Sequence, residues 1–330
     1  MKYIAIVGAG LAGITLAREL NASADVQVFE KYHGVGGRMS HRHVNGFDFD
    51  HGAQYFTARS KPFQQFLETH IRKGLVAEWQ PRVLTLAPGE KPYKREWFEP
   101  HYVAVPHMHS LCEAISHPLS VQLETTVNAI IRDGDKWLLQ GDSGVLPGRF
   151  DWVIATVPVN QTLGLLREHL AETALSGENG LERVSMSPCY ALMLGFAEHL
   201  ELSFDAAKVK HLGIEWIMVN DTKPGRPPGS TLVVHSSNQW AQAHLDAPDA
   251  WVTNHMRREL ANVIGRELPE PEVMALKRWV YARVEKALEP DYLLDLDNRL
   301  AACGDWCLYD RVEGAYLSAI SLARRLKELL

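Results

Sequence analysis

The 330-residue sequence has few cysteines, no long apolar run and no large excess of either charge. Its four cysteines are too few for a disulfide framework in a chain of this length, and Cys303 and Cys307 lack the further partners that a metal or redox site needs. We therefore expect isolated thiols in a reducing cytoplasm. No apolar run reaches the roughly 18 residues that a transmembrane helix needs, so we expect no membrane span.

The charge balance excludes further classes of protein. A net charge of −6 and a pI near 6.2 argue against nucleic acid or an anionic membrane surface as the main partner. The apolar residues at the amino terminus run directly into GAGLAG without a polar cleavage region, which predicts a buried strand and a cytoplasmic protein rather than an exported one. The length favours about two domains.

The stretch KYIAIVGAGLAGITLARELN predicts a strand, a tight turn and a helix. Gly8 permits the turn, Gly10 lets the backbone approach a pyrophosphate, and Gly13 allows close packing of helix on strand. The helix starting at Leu11 and Ala12 directs free N–H groups and its positive end toward the phosphates. This motif predicts a dinucleotide site.

The residues after the second strand, DVQVFE, indicate which dinucleotide binds. Glu30 ends this strand about 20 residues after the glycine turn, where a carboxylate binds the ribose hydroxyls and repels a 2′-phosphate. Lys31 follows it, and Gly36, Gly37 and Arg38 then form a second glycine-rich turn. The guanidinium of Arg38 can pair with the negative charge of a phosphate. This second turn is typical of FAD enzymes and not of NAD-dependent dehydrogenases, so the sequence predicts FAD.

The segment NGFDFDHGAQYFTARS alternates apolar and acidic residues, which suits a half-buried strand followed by a glycine-containing loop. We predict that this loop brings Gln54, Tyr55 and Phe56 to the edge of the flavin.

A metal site in the same region is the competing interpretation, because His41, His43 and His51 accompany Asp48 and Asp50. An H-x-H pair on a strand projects both rings to one face, but no third ligand has a convincing spacing. We therefore predict no metal.

The middle of the chain leaves one assignment open and sets the domain organisation. ETTVNAIIRDGDKWLLQ predicts either a strand–turn–strand unit in which the backbone of Val127 contacts adenine, or a plain hairpin with Gly134 in its turn. FDWVIATVP predicts a buried parallel strand, so the chain returns to the cofactor domain. The predicted FAD-binding domain comprises residues 1–60, 101–158 and 298–330, and the predicted substrate domain comprises residues 61–100 and 159–297.

The carboxy-terminal stretch LAACGDWCLYDRVEGAYLSAISLARRL predicts a strand, a Gly-Asp turn and a long helix. Gly304 would allow close approach of the cofactor, and Asp305 lies where a carboxylate binds the ribityl hydroxyls of FAD. The helix from about Val312 would direct its positive end at N1 and O2 of the flavin ring.

With these motifs the sequence resembles the renalases, a branch of the flavin amine-oxidase superfamily, over essentially its full length. The resemblance rests on GAGLAG with Glu30, GGRM at 36–39, DHGAQYFT at 50–57, YALMLGF at 190–196, LVVH at 232–235, KRWVYARV at 277–284 and the carboxy-terminal Gly-Asp turn and helix.

The resemblance implies a mixed α/β fold. A Rossmann-like FAD-binding domain of the p-hydroxybenzoate hydroxylase and amine-oxidase type would carry a second α+β substrate domain on an antiparallel sheet. It also implies oxidation of the 2-dihydro and 6-dihydro isomers of NAD(P) to β-NAD(P)⁺, by hydride transfer to flavin N5, with O₂ accepting the electrons to give hydrogen peroxide. Because the sequence has no Cys-containing SGG-type segment for covalent attachment of the flavin, we predict noncovalent FAD. The expected partners are a dinucleotide and O₂, with no obligate protein partner. Such chemistry needs orientation more than a strong base, and no catalytic triad is evident.

The resemblance also directs attention to side chains that would face the substrate. Tyr190 and Trp279 would form flat walls, and His235 would make a polar contact. The alternative is that Tyr190 and Trp279 are aromatic residues of the hydrophobic core and that His235 is a hydrogen-bonded histidine at the end of a strand. The residues expected to hold the distal part of a dinucleotide are Thr57, Arg59, Lys61, Arg95 and Trp97.

Three other functions remain open at this stage. An amine oxidase would place its amine between two aromatic side chains, and beyond Trp306 and Tyr309 no second partner is evident near the carboxy terminus. A desaturase or porphyrinogen oxidase would need a longer, more apolar substrate domain. A flavin-binding interaction protein without catalytic activity is the third.

Overall fold

A computed structural model describes residues 1–177, 180–210, 213–309 and 311–330 of the chain. Its strands are β1 (Tyr3–Val7), β2 (Asp25–Phe29), β3 (His41–Val44), β4 (Phe47–Asp50), β5 (Val76–Trp79), β6 (Val83–Leu86), β7 (Tyr93–Lys94), β8 (His101–Ala104), β9 (Ser120–Gln122), β10 (Ala129–Asp133), β11 (Lys136–Gly141), β12 (Gly144–Val145), β13 (Trp152–Ala155), β14 (Ser185–Gly195), β15 (Ala206–Val209), β16 (Ile214–Val219), β17 (Thr231–Ser236), β18 (Val273–Lys286), β19 (Leu293–Asp295) and β20 (Leu300–Ala302). Its α-helices are α1 (Leu11–Leu20), α2 (Lys61–Arg72), α3 (Ser110–Ser116), α4 (Val159–Leu166), α5 (Glu172–Leu175), α6 (Asn238–Ala243), α7 (Asp249–Ile264), α8 (Asp305–Leu308) and α9 (Val312–Lys327).

The first layer is a six-stranded sheet in the order β19-β20-β13-β1-β2-β9. The pairs joining β20, β13, β1, β2 and β9 are parallel, and β19 pairs antiparallel at one edge. The apolar run of β1 is buried because the strand lies inside the sheet, with helices α1 and α9 packed on each other beside it. Strands from both ends of the chain thus belong to one sheet.

The second layer is a seven-stranded sheet in the order β18-β14-β17-β16-β15-β6-β7. Its pairs are antiparallel except for the parallel pair β6 and β15. One face packs on the apolar side of α7 through residues such as Leu192 and Val234, and the other face turns toward the parallel sheet. The arrangement confirms the predicted fold class, a parallel nucleotide-binding sheet with an antiparallel substrate platform.

The loop TKPGRPPGS connects β16 to β17, and its proline and glycine content is typical of a surface loop. Two of its charged side chains nevertheless turn inward to the carboxylate of Asp50, so Lys223 is 2% exposed and Arg226 is 7% exposed.

Within the described ranges, none of the helices combines the length and apolarity that crossing a bilayer requires.

A glycine-to-alanine pair tests the packing of α1 on β1. An added Cβ at Gly13 would lie 2.0 Å from the backbone oxygen of Gly8 and 2.6 Å from Oγ1 of Thr156. Because the backbone of Gly8 cannot move away without distorting the turn, we expect Gly13→Ala to lower the free energy of unfolding by about 1–3 kcal/mol. Urea unfolding with excess FAD measures this change.

The matched control is Gly229→Ala, since no atom lies within 4 Å of a Cβ there and the residue is exposed. We expect it to stay within about 0.5 kcal/mol of the wild type. Equal effects of the two substitutions would contradict the close packing at Gly13.

Candidate active site

A cavity of about 1080 Å³ lies between the two sheets, where a cofactor site is expected in an open α/β fold. The carboxyl ends of β1 and β2 and the start of α1 line one side, and β16, β17 and β18 line the other. The start of α9 closes one end through Val312 and Ala315. The volume of the cavity is at the upper end of the roughly 300–1,000 Å³ that is typical of ligand pockets.

Two glycine turns form a cradle at one end of this cavity. A Cβ on Gly37 would lie 3.1 Å from the Cα of Gly10, so the two turns pack backbone to backbone. A Cβ on Gly10 would have only the Gly37 Cα, at 4.0 Å, near it and would project into the cavity. Because these glycines carry no side chains, space is left for a pyrophosphate at the amino end of α1. The residues present therefore fit FAD.

Glu30 is 6% exposed and fixed beside this cradle. Its carboxylate accepts the N–H of Ala9 at 2.8 Å and the N–H of Tyr32 at 3.0 Å. An ionised carboxylate offers about four acceptor positions, so lone pairs remain for ribose hydroxyls. The predicted role of Glu30 agrees with this placement.

Arg38 and Asp305 join the two ends of the chain across the cavity. The guanidinium donates to the two carboxylate oxygens of Asp305 at 2.8 and 2.5 Å, a bidentate pair, and to the carbonyl of Ala282 at 3.3 Å. Asp305 is 4% exposed. Arg38, which was predicted to pair with phosphate, is thus paired with Asp305, which was predicted to bind the ribityl chain.

A buried charged network supports the wall opposite the cradle. The Asp50 carboxylate accepts from Arg226 Nη2 at 2.6 Å, from Arg226 Nε at 3.1 Å and from Lys223 Nζ at 3.2 Å. Burial alone would raise the pKa of Asp50, but Lys223 and Arg226 outweigh it and lower the pKa to about 2. Burial also lowers the pKa of Lys223 to about 8. Two cations and one carboxylate leave one surplus positive charge behind this wall.

Lys223 determines how Gln54 presents its amide to the cavity. The Lys223 ammonium can only donate, and it donates to Gln54 Oε1 at 2.9 Å. Gln54 Nε2 in turn lies 2.5 Å from the carbonyl oxygen of Asp50, 3.1 Å from that of Gly52 and 3.4 Å from Nε2 of His235. The two amide hydrogens therefore have the two carbonyls as their nearer acceptors, and the His235 ring lies beside them.

His235 and Trp279 form the adjoining part of the wall. Burial lowers the pKa of His235 to about 4, so the ring is neutral near pH 7. The indole N–H of Trp279 donates to the carbonyl of His51 at 3.0 Å, and its ring stacks on the His51 ring at 5.3 Å. The wall is therefore flat, neutral and held by hydrogen bonds from behind.

The distal end of the cavity is bordered by ion pairs and aromatic rings. Arg59 forms a bidentate pair with Glu99 at 2.8 and 2.5 Å, and its backbone N–H donates to Glu313 at 3.1 Å. Behind this pair the Tyr55 ring lies 5.0 Å from that of Trp97 and 6.5 Å from that of Trp216.

Most predicted site residues meet at this one cavity. Those predicted to bind the cofactor that line it are Gly8, Gly10, Leu11, Ala12, Glu30, Lys31, Gly37, Arg38, Gln54, Tyr55, Phe56, Val127, Asp305 and Val312. Those predicted to face the substrate that line it are Thr57, Arg59, His235 and Trp279. Gly134 occupies the turn of the β10–β11 hairpin with φ of +64°, which confirms the predicted hairpin, and the contact of Val127 with adenine stays a prediction.

Five predicted residues lie elsewhere. Tyr190 is fully buried against Trp240, because successive residues of β14 point to opposite faces and the other face is the one that meets the cavity. Lys61 and Arg95 are exposed side chains outside the cavity wall. Trp97 lies behind Tyr55 and does not line the cavity itself. Gly13 contributes through packing, as its motif implies.

The sequence-based prediction missed the residues that support the cavity wall opposite the glycine cradle. Lys223 and Arg226 come from a loop whose proline and glycine content is typical of a surface turn. Lys277 and Trp216 also line the cavity, and an alternating pattern alone cannot tell which face of a strand does so. Lys277 is the first residue of the KRWVYARV motif, but it was not predicted to be a site residue.

The fold and the cavity define a flavoprotein oxidoreductase with a dinucleotide-binding sheet and a substrate platform. Residues 6–69 match the family of NAD(P)-binding Rossmann-like domains, and residues 100–327 match the flavin-containing amine oxidoreductases. The chain therefore belongs to the family of flavin-containing amine oxidoreductases, and FAD is its cofactor.

Curated relatives match over short segments. A 4,4′-diapophytoene desaturase of Staphylococcus aureus (strain Newman) is 34% identical over 76 residues, which are 20% of this chain and 15% of that protein. A zeta-carotene-forming phytoene desaturase of Myxococcus xanthus is 48% identical over 52 residues, 16% of this chain and 10% of its own length. The matched segments span about a sixth or less of these desaturases, so their activities do not transfer with the similarity.

Solved structures resemble the whole chain in fold. A putative protoporphyrinogen oxidase from Exiguobacterium sp. 255-15 has a TM-score of 0.78 at 14% identity, covering 100% of this chain and 99% of that one. A putrescine oxidase bound to putrescine has a TM-score of 0.72 at 13% identity, covering 98% of both chains. At these identities the likeness establishes the fold.

The buried histidines predict a pH dependence of stability. Burial lowers the pKa of His51 to about 3 and that of His235 to about 4, whereas both take up a proton near pH 6.5 in the unfolded chain. The unfolded state therefore binds more protons below pH 6.5, and stability falls as the pH drops toward 4. Each histidine contributes about 1.4 kcal/mol per pH unit to this slope.

We expect His235→Gln to reduce the slope between pH 6 and 4.5 by roughly one proton, measured by urea unfolding with excess FAD. His33→Gln, at an exposed position outside the cavity, should keep the wild-type slope. An unchanged slope in His235→Gln would show that this ring is not held neutral.

Proposed function

We propose that this flavoprotein oxidises misreduced nicotinamide dinucleotides, the 2-dihydro and 6-dihydro isomers of NAD(P), to β-NAD(P)⁺, with O₂ as electron acceptor and hydrogen peroxide as product. The cofactor FAD, when bound, supplies the hydride acceptor. The protein's own contribution is to bind, orient and surround the dihydropyridine, since aromatisation supplies the driving force.

The observation that carries this proposal is the charge of the cavity. Among the described residues, seven lysines and arginines but four acidic residues line it, and its histidines His101 and His235 are neutral near pH 7 because burial lowers the pKa of each to about 4. A cation-rich cavity attracts a ligand that carries a pyrophosphate and repels a protonated amine. The flavin cofactor accounts for part of this charge, and the platform side adds Lys277 and Arg283. The guanidinium of Arg278 is turned to the opposite face of the sheet, where it pairs with Asp249.

The platform wall suits a flat, neutral ring. Trp279 offers an aromatic face held by its hydrogen bond to His51, and Gln54 and His235 offer fixed polar groups beside it. Lys277 Nζ lies 5.0 Å from the centre of the Trp279 ring, where it can meet the phosphates of a dinucleotide stacked on that ring. None of these groups is a strong base, which agrees with a reaction that depends on orientation.

The thiol at the cavity favours noncovalent binding of the flavin. Cys189 lines the cavity, and burial raises the pKa of its thiol to about 12. The thiol is therefore protonated and a poor nucleophile. We propose that FAD is held by the glycine cradle, Glu30 and the Arg38–Asp305 pair without a covalent bond.

Anaerobic mixing with 6-dihydro-NAD tests the proposed function. We expect one equivalent of the isomer to bleach the flavin absorbance of the holoenzyme, and we expect benzylamine or a catecholamine to leave it unchanged, because the cavity repels ammonium groups. Bleaching by the amine alone would favour an amine oxidase, and bleaching by neither would refute dinucleotide oxidation.

Two lysines of β18 provide a matched comparison in the same assay. Lys277 lines the cavity, whereas Lys286 is exposed outside it. We expect Lys277→Met to raise the isomer concentration for half-maximal reduction roughly tenfold, equivalent to about 1.4 kcal/mol of lost binding, and Lys286→Met to leave it unchanged.

A further inference from the structure

Outside the cavity, the structure brings together a group of histidines that the sequence did not connect. His41 lies on β3 and Asp48 on β4, and these strands form an antiparallel hairpin. His107 comes from the segment between β8 and α3, about 60 residues further along the chain. One ligand atom of each of these three residues lies within 4.8 Å of the others.

The distances in this group are those of a compact polar cluster. His41 Nε2 lies 2.6 Å from Asp48 Oδ1, and the rings of His41 and His107 are 3.9 Å apart at their centres. His107 Nδ1 is buried and has no hydrogen-bond partner. A buried imidazole nitrogen without a partner beside a second imidazole and a carboxylate is an incomplete arrangement that a bound cation would complete.

The backbone holds His107 in place before any ligand binds. The N–H of Met108 donates to Asp50 Oδ1 at 2.9 Å, and the N–H of Ser110 donates to the carbonyl of His107 at 3.0 Å. Asp50 is itself fixed by Lys223 and Arg226. The third ligand is therefore supplied by a rigid segment, which limits the ordering cost of binding.

The donor atoms of this cluster suit a metal ion. Each imidazole can offer a ring nitrogen, and an ionised carboxylate offers oxygen lone pairs and a negative charge. His41, Asp48 and His107 together therefore offer two nitrogen donors and one oxygen donor within 4.8 Å of one another.

We propose that His41, Asp48 and His107 form a zinc site. Two imidazole ligands and one carboxylate match the donors that Zn²⁺ prefers and differ from the all-oxygen sets of Mg²⁺ and Ca²⁺. Zn²⁺ binds nitrogen at about 2.0–2.1 Å, in the plane of the imidazole ring. The His41 and His107 rings are stacked at an interplanar angle of 25°, so one ring must turn to direct its nitrogen at the shared ion, with water as the fourth ligand.

The position of the site indicates what the metal would do. The β3–β4 hairpin leads directly into Gly52 and Gln54, and the segment after His107 contacts the second glycine turn, where a Cβ on Gly36 would lie 3.2 Å from the Cβ of His109. Zinc would therefore clamp the hairpin to the segment that supports the cofactor turn. This role is structural and separate from the substrate wall.

Zinc titration of the tag-free holoenzyme, stripped of metal by a chelator, tests this site. We expect one Zn²⁺ per chain by calorimetry and a rise in unfolding temperature on zinc addition. We also expect visible absorption bands when Co²⁺ replaces zinc. His41→Ala and His107→Ala should each weaken binding at least roughly 100-fold, because even loss of an outer-shell partner costs about 10–100-fold.

Two further variants keep the test decisive. Asp48→Asn preserves the size of the side chain and should weaken zinc binding at least tenfold while the flavin spectrum stays unchanged. His33→Ala removes an exposed histidine elsewhere and should bind zinc as the wild type does. Absence of stoichiometric zinc binding, or wild-type binding by His107→Ala, would overturn the proposal.

Discussion

The Asp50 carboxylate and its two buried cations are the interaction on which the rest of the site depends. Asp50, Lys223 and Arg226 are all nearly inaccessible to solvent, and they come from the β3–β4 hairpin and from the loop between β16 and β17. Removing one partner of such a buried pair leaves an uncompensated charge and costs about 3–5 kcal/mol. The network therefore joins the cofactor domain to the substrate platform at one point.

Several features of the cavity follow from this network. Lys223 fixes the amide of Gln54, whose nitrogen lies against the carbonyls of Asp50 and Gly52 and beside His235 on the substrate wall. The surplus positive charge behind the wall adds to the cationic lining of the cavity, which favours an anionic ligand. On the opposite side Arg38 and Asp305 close the site, so residues from both ends of the chain are held in one ion pair.

The sequence predicted those parts of the site whose chemistry is local. Gly8 and Gly10 of the first turn, Glu30 and the Gly-Asp turn before the last helix each follow from motifs of a few residues, and all meet at the cavity. The fold class followed for the same reason, because the apolar runs of β1 and β13 are typical of a buried parallel sheet.

The parts that the sequence did not predict depend on contacts between distant segments. Tyr190 and Cys189 are neighbours on β14, and only the packing of the sheet shows that Cys189 faces the cavity while Tyr190 is buried on the other side. Lys223 lies in a loop of surface composition, and its burial depends on a carboxylate 173 residues away. His107 joins His41 and Asp48 in the same way, which is why spacing within the HRH segment alone gave no third ligand.

The central claim is that burial in the wall beside the Asp50 network holds the His235 ring neutral near pH 7. Nitrogen NMR of histidine-labelled holoenzyme measures this directly, with His235 assigned by comparison with His235→Gln. The account predicts one protonated and one unprotonated ring nitrogen, the pattern of a neutral ring, from neutral pH down to about pH 4. A ring that takes up its second proton near pH 6.5 would contradict the account.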